Sequence, residues 1–192
     1  KLRYKLVAAH FDHGLRKDSR NDAELVRKLC EERDITFELG RSQVAKRGNL
    51  EENARLARYK FLAKTAEKYD ANAVLTGHTI NDQAETFLLN LVRGSGPSGL
   101  AAMPTARPLE GCQAQLIRPL LRIASREDTV EYCSDLGVDF RSDPMNEDLR
   151  FSRVKIRREV IPLLSELNPR IVETLARTAG HFSQDPSGGP SG

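Results

Sequence analysis

The sequence predicts an α/β fold, a parallel sheet flanked by helices with a helical C-terminal extension. Short apolar runs at 6–11, 35–39 and 74–76 alternate with segments whose apolar residues recur at helical spacing, the pattern of a doubly wound parallel sheet. The strongest single signal is the stretch 73–86. There Ala73, Val74 and Leu75 lead straight into a helix whose first turn carries carboxylates. A strand end opening onto a helix N-terminus is where such folds bind ligands.

The elements follow in order. Residues 6–11 form a strand, and 18–33 a helix with Ala23, Val26, Leu29 and Cys30 at core-facing positions. A short strand at 35–39 comes next. Asn49 then caps a long helix running to about residue 69, with Glu52 at the capping-box position and an apolar stripe of Leu50, Ala54, Ala57, Phe61 and Ala66. A strand at 74–76 leads into a helix at 80–92, which Thr79 caps with Asp82 three residues on. The glycines of 94–99 end that helix in a turn. Beyond the apolar block 117–121, helices are expected at 126–136, 151–164 and 169–182. Residues 1–182 read as one domain, and 183–192, rich in Gly, Ser and Pro, as a disordered tail or linker.

At 192 residues the chain can bury a real core, and 39% hydrophobic with 30% charged residues describes a globular protein rather than a disordered one. No apolar run is long enough to cross a bilayer as a helix, and no signal peptide is visible. Cys30, Cys112 and Cys133 are far apart and odd in number, which suits a reducing cytoplasm and offers no metal-binding spacing. A net charge of +3 makes a weak global case for nucleic acid, so local clustering must carry it. The densest cluster is Arg150, Arg153, Lys155, Arg157 and Arg158, five cations in nine residues without an acid. Such runs are usually a solvated helix face.

On the helix at 80–92, Asp82, Glu85 and Leu89 share one face while Ala84, Leu88 and Leu91 lie on another. The apolar side can pack on the sheet and leave Asp82 and Glu85 open to a cation or an ammonium group; the ordinary alternative is that they only complement the helix dipole. His78, at the strand end, could bond a phosphate, although a lone histidine is more often structural. Arg55 and Arg58, three apart on one helix, are neighbours.

Several blocks occur in a fixed order. They are residues 9–16 (AHFDHGLR), 49–62 (NLEENARLARYKFL), 75–86 (LTGHTINDQAET), 93–100 (RGSGPSGL), 117–121 (IRPLL), and 143–146 (DPMN) followed by the basic run. Over about residues 6–180 this ordered set resembles the catalytic domain of the tRNA(Ile)-lysidine synthetase family, within the PP-loop ATP pyrophosphatases. The resemblance implies an adenine-nucleotide α-hydrolase-like (Rossmann-like) fold. That family's first strand and its Ser-Gly-Gly-x-Asp-Ser phosphate loop have no counterpart here and would lie before Lys1, so the chain reads as a truncated domain, expected to be inactive alone. The tail has Ser187-Gly188-Gly189, but Ser191 stands where the loop needs Asp and no apolar strand leads into it.

The resemblance implies the following roles. His78, Gly77 and His10 would line the ATP site. Asn81, Asp82 and Glu85 would hold the substrate lysine, whose ammonium groups need acceptors, and one carboxylate would relay a proton from the ε-amine. Asp82, Glu85, Arg55 and Arg58 would take part in catalysis, the arginines by stabilising phosphate charge. Arg16, Arg150, Arg153, Lys155, Arg157 and Arg158 would contact tRNA phosphates, with His13 a weaker candidate. Where the family usually has Asn after the arginine matched by Arg153, this chain has Val154, which puts a polar contact there in doubt. The implied reaction is ATP-dependent ligation of L-lysine to the wobble cytidine of tRNA(Ile) with a CAU anticodon, with Mg2+ accompanying ATP. A homodimer is left open and no membrane partner is implied. The rivals are a tRNA-thiolating relative, whose cluster-bearing members need cysteine pairs missing here, and a non-catalytic tRNA-binding remnant.

Overall fold

The computed structural model describes residues 4–14, 19–41, 50–140 and 151–183. Its contacts divide the chain into two compact units, Lys1–Val74 with Arg107–Leu116, and Leu75–Ala106 with Ile117–Gly192.

In the first unit, β1 (Val7–Asp12) and β2 (Thr36–Arg41) pair in parallel, from Val7 opposite Thr36 to Asp12 opposite Arg41. The crossover between them is α1 (Ser19–Glu31), which buries Ala23 and Cys30. The long helix α2 (Leu50–Lys68) follows. Its buried residues are Leu62, Ala63, Thr65 and Ala66. Leu62 and Ala63 form a core with Leu109 and Leu116, and Tyr59, Phe61, Val74 and Cys112 pack around it. Of the expected stripe, Ala66 is buried and Phe61 packs against this core, while Ala54 and Ala57 are only half-buried. The 109–116 hairpin, distant in sequence, chooses which face is covered, and helical period alone cannot supply that choice.

A second sheet contains β3 (Ala73–Leu75), β4 (Ala106–Pro108) and β5 (Gln115–Ile117) in the order β3-β5-β4. Gln115 N–H bonds Asn72 O at 2.9 Å and Thr76 N–H bonds Ile117 O at 3.0 Å, the staggered pattern of a parallel pair. Leu109 N–H to Ala114 O and Arg118 N–H to Thr105 O instead make β4 and β5 an antiparallel hairpin. The expected parallel α/β fold thus carries one antiparallel edge strand, too short to register as an apolar run.

The second unit is built around α3 (Ile80–Val92), on which α8 (Ile171–Phe182), α4 (Pro97–Leu100), α6 (Ser152–Lys155) and a 3-10 turn at Pro119–Arg122 all pack. α5 is Arg126–Asp135 and α7 is Ile161–Leu167. Gln83, Ala84, Glu85, Phe87 and Leu88 are buried, so α3 is covered on most of its circumference. The helices α1, α2, α3 and α5 end alike. Asp34, Asp70, Gly94 and Gly137 take positive φ, and the next N–H reaches back five residues, as from Ile35 to Cys30 O and from Ala71 to Ala66 O.

Between α6 and α7 lies a π-helical turn, Ile156–Val160, in which Ile161 N–H bonds Ile156 O. Pro162 follows, and its ring lacks an N–H and crowds the carbonyl four residues back, so the wider turn absorbs the conflict. The sequence predicts one uninterrupted helix here.

Candidate functional site

The chemistry-bearing residues of the second unit gather where β3 runs into α3. Thr79 takes an extended conformation, φ −107° and ψ 178°, and starts the helix. Asp82 Oδ2 accepts from the Thr79 N–H at 2.9 Å and the Thr79 hydroxyl at 3.1 Å, the reach-back half of a capping box. Asp82 Oδ1 accepts no hydrogen bond from the described residues. Just before the cap, the Thr76 hydroxyl lies 2.9 Å from His78 Nδ1. A Cβ added at Gly77 would meet nothing within 4 Å, so the backbone there faces open space.

Glu85 departs from the expectation of two open carboxylates. It is fully buried, at 0% exposure. Arg157 grips it with both ends of its fork, Nε to Oε1 at 2.7 Å and Nη2 to Oε2 at 3.0 Å. Arg126 Nη2 donates to Oε1 at 3.1 Å. Arg153 Nε lies 3.1 Å from Oε2, close enough for an ion pair but out of line for a hydrogen bond. The physical reason is that α6 and the π turn cover the face of α3 that an isolated amphipathic helix would leave to solvent. The hydrogen bond from Arg157 to Glu85 also pushes the arginine's proton affinity further up.

Asn81 is engaged as well: its Oδ1 accepts the Arg126 backbone N–H at 2.8 Å. Arg153 Nη2 donates to the Thr86 hydroxyl at 2.6 Å. The basic run therefore splits. Arg153 and Arg157, four apart on one face, turn inward, while Lys155 and Arg158 are exposed. Val154 is buried at 6% exposure, so an apolar residue suits the position. Arg150 and Arg16 lie outside the described residues, as does the Asn49 cap.

In the first unit, His10 pairs with Leu39 in the parallel sheet. Burial pushes its pKa below the usual histidine value, an effect only partly offset by Asp12 and Asp22. At the end of β1, Asp12 accepts the Gly14 N–H at 2.9 Å and pairs with Arg41 at 3.7 Å. His13 packs edge-on against Phe11, ring centroids 4.9 Å apart. Arg55 and Arg58 sit over the ring of Tyr59, at 5.4 and 5.6 Å from its centroid, and Arg107 joins them at 5.3 Å.

Three functional candidates escaped sequence reasoning. Arg107 and Tyr59 carry no local signal, because α2 and the β4–β5 hairpin meet only in the fold. Arg126 did carry one. It opens α5 directly after the cap formed by Ser125 and Asp128, where the helix dipole disfavours a cation, so a specific partner was to be expected.

Residues 1–164 match the family model for the PP-loop domain. The chain belongs to the PP-loop family. Among the relatives of this PP-loop chain are proteins called tRNA(Ile)-lysidine synthase. That of Geobacillus kaustophilus is 37% identical over 94% of this chain and 40% of its own length. That of Salinispora tropica is 46% identical over 88% and 50%. That of a Nostoc species is 38% identical over 95% and 52%. The chain spans about half the length of these curated relatives. A solved structure, the U34-tRNA thiolase NcsA from Methanococcus maripaludis with its [4Fe-4S] cluster, matches with a TM-score of 0.73 at 16% identity, covering 94% of this chain and 63% of that one. At that identity the likeness shows the fold alone, and the fold is the adenine-nucleotide α-hydrolase-like one expected.

No helix among the described residues is long and apolar enough to cross a membrane. Among them no group of three or more His, Cys, Asp or Glu side chains could hold a metal ion.

Proposed function

We propose that this PP-loop domain serves a tRNA(Ile)-lysidine synthetase of the cytoplasm, joining L-lysine to the wobble cytidine of the CAU anticodon. In the first step the C2 oxygen of cytidine attacks the α-phosphorus of ATP, forming an O-adenylate and releasing pyrophosphate. In the second, the lysine ε-amine attacks C2, gives up a proton, and AMP leaves with the oxygen. Residues 1–182 act as the catalytic domain in this reading, with Mg2+ entering as the ATP complex and self-association as a homodimer left to experiment.

The observation that carries the proposal is the β3–α3 junction on a chain 46% identical to a lysidine synthase over 88% of its length. Gly77 and His78 offer open backbone and an imidazole held at Nδ1, suited to a nucleotide phosphate. Asp82, with one oxygen uncommitted among the described residues, is the better acceptor for the lysine ammonium, and Asn81 lies beside it. Glu85, saturated by arginines, acts by positioning them. His10, Arg55 and Arg58 are assigned to nucleotide phosphate, and Arg16, Arg150, Lys155 and Arg158 to tRNA. Sulfur transfer is not favoured, since the curated relatives are called tRNA(Ile)-lysidine synthase and Cys30, Cys112 and Cys133 lie far apart in sequence, without the paired spacing of a cluster site.

The test is nucleoside mass spectrometry of tRNA(Ile) incubated with the full-length protein, ATP and lysine. Lysidine formation dependent on all three supports the proposal. Its absence, or the appearance of a thiolated base, overturns it.

A further inference from the structure

The first turn of α3 is tied down more heavily than a helix start requires. Ile80 N–H donates to Ala124 O at 3.0 Å, Asn81 Oδ1 accepts the Arg126 N–H at 2.8 Å, and Asp82 closes the cap on Thr79. Gln83, buried at 5% exposure, reaches in another direction. Its Nε2 donates to Ala101 O at 3.3 Å and to Met103 O at 3.1 Å, and its Oε1 accepts the Met103 N–H at 3.1 Å. Between those two residues Ala102 has φ 55°, a left-handed conformation that persists only where the surroundings impose it. Arg118 holds the far end of the same segment: its backbone N–H donates to Thr105 O and its Nη1 to Pro104 O, both at 2.8 Å. Arg118 is 2% exposed, its Nε meets no acceptor, and among the described residues no carboxylate pairs with it. Stability alone favours an apolar residue there, because desolvating a charge that has no acid partner is costly. Residues 101–105 form neither helix nor strand, so these two side chains rather than a backbone ladder give the segment its place.

We infer that Gln83 and Arg118 are positioning residues, which brace segment 101–105 between the end of β5 and the first turn of α3 and so fix where Asp82 presents its carboxylate. The inference rests on the function proposed above, in which Asp82 accepts the lysine ammonium. Gln83 follows Asp82 directly on the helix, so any shift of the brace tilts the turn that carries both. A displacement of about 1 Å at such a turn is enough to misplace a bound group and weaken its use up to about a hundredfold.

The experiment uses Gln83→Met and Arg118→Met in the full-length protein, which keep much of the volume and remove the hydrogen bonds. Gln83→Asn and Arg118→Lys, which leave a polar group at each end, are the conservative partners and carry the same comparison should a Met variant fail to fold. Gly40→Ala, which crowds Phe61 and Phe11 in the other unit, is the control for lost stability without a change at α3. Kinetics in lysine and tRNA affinity are measured well below each thermal midpoint. The brace predicts a KM for lysine raised about tenfold to a hundredfold, a smaller change in kcat, parental tRNA affinity, and partial recovery in Arg118→Lys. Folded Gln83 and Arg118 variants with the parental KM overturn it, whether their midpoints fall as in Gly40→Ala or stay in place. A parental protein that makes no lysidine at all sinks the proposed function instead. The brace is then judged on amide hydrogen exchange. Faster exchange of the Ile80 and Gln83 amides in the position-83 variant, with parental rates from Leu88 to Val92, supports it; an equal change along α3, or none, overturns it.

Discussion

Arg157 and Glu85 meet through both ends of the guanidinium fork, at 2.7 and 3.0 Å, on a carboxylate that has no contact with water. Because Arg126 and Arg153 converge on the same two oxygens, Glu85 anchors α5, α6 and the π turn to α3.

Glu85→Gln keeps the shape and removes the buried charge on which three guanidiniums converge. Breaking a buried ion pair from one side costs about 3 to 5 kcal/mol. Urea unfolding should show the unfolding free energy falling by that amount, seen as a lower midpoint with little change in slope. An unshifted midpoint would mean that the arginines find other partners.

Asp82→Asn is expected to behave differently. The amide oxygen can still accept from Thr79, so the helix cap is preserved, but the charge offered to a lysine ammonium is gone. Loss of one charge-assisted bond, about 1.5 to 3 kcal/mol, should raise the KM for lysine roughly tenfold to a hundredfold and leave tRNA affinity unchanged. Steady-state kinetics in lysine and a tRNA binding curve decide it.

The split of the basic run makes a paired prediction. Neutralising the exposed Lys155 and Arg158 together should flatten the log–log salt dependence of tRNA binding by about 1 to 2 units without loss of stability. Neutralising the inward Arg153 and Arg157 should lower the thermal midpoint. A salt slope that ignores Lys155 and Arg158 would make them solvated surface.

Gly40 lies beneath two rings: an added Cβ would fall 2.5 Å from Phe61 Cδ2 and 2.7 Å from Phe11 Cδ2. The same rings pack on each other at 5.4 Å, so neither can retreat cheaply. Gly40→Ala should destabilise by about 1 to 3 kcal/mol through overpacking. Combining it with Phe61→Leu should return part of that loss, measured by chemical denaturation.

Stability should fall on acidification in two stages. Burial holds His10 below its ordinary 6.5, so between its depressed value and 6.5 the unfolded chain binds the extra proton and stability drops as pH falls below 6.5. Lys68 and Tyr69 hold Glu38 below 4.5. For Asp12, burial pushes upward, but the Gly14 N–H, the Ser19 hydroxyl and Arg41 outweigh it and hold the carboxyl below 3.8. Both carboxylates contribute fully above those ordinary values and lose the contribution as pH falls through their lower folded values. Thermal midpoints across pH should therefore show a first decline that His10→Gln removes and a second that it leaves in place.

Local order was legible in the sequence where the signal itself is local. The helix Ile80–Val92 has the bounds that Thr79, Asp82 and the following glycine announce, because caps and turn residues act within a few positions of the chain. The parallel pairing of the first two strands follows from apolar runs separated by an amphipathic helix. The junction at the start of α3 was legible as a strand end running into a helix cap. What the tertiary structure alone decided is which charges face which. Glu85 and Asp82 look equivalent on a lone helix, and so do Arg153 and Lys155 in a basic run. Only the packing of α6 and the π turn onto α3 buries Glu85 under three arginines and leaves Asp82 with an oxygen uncommitted among the described residues. Desolvation is a property of the whole fold, and chain spacing carries no record of it.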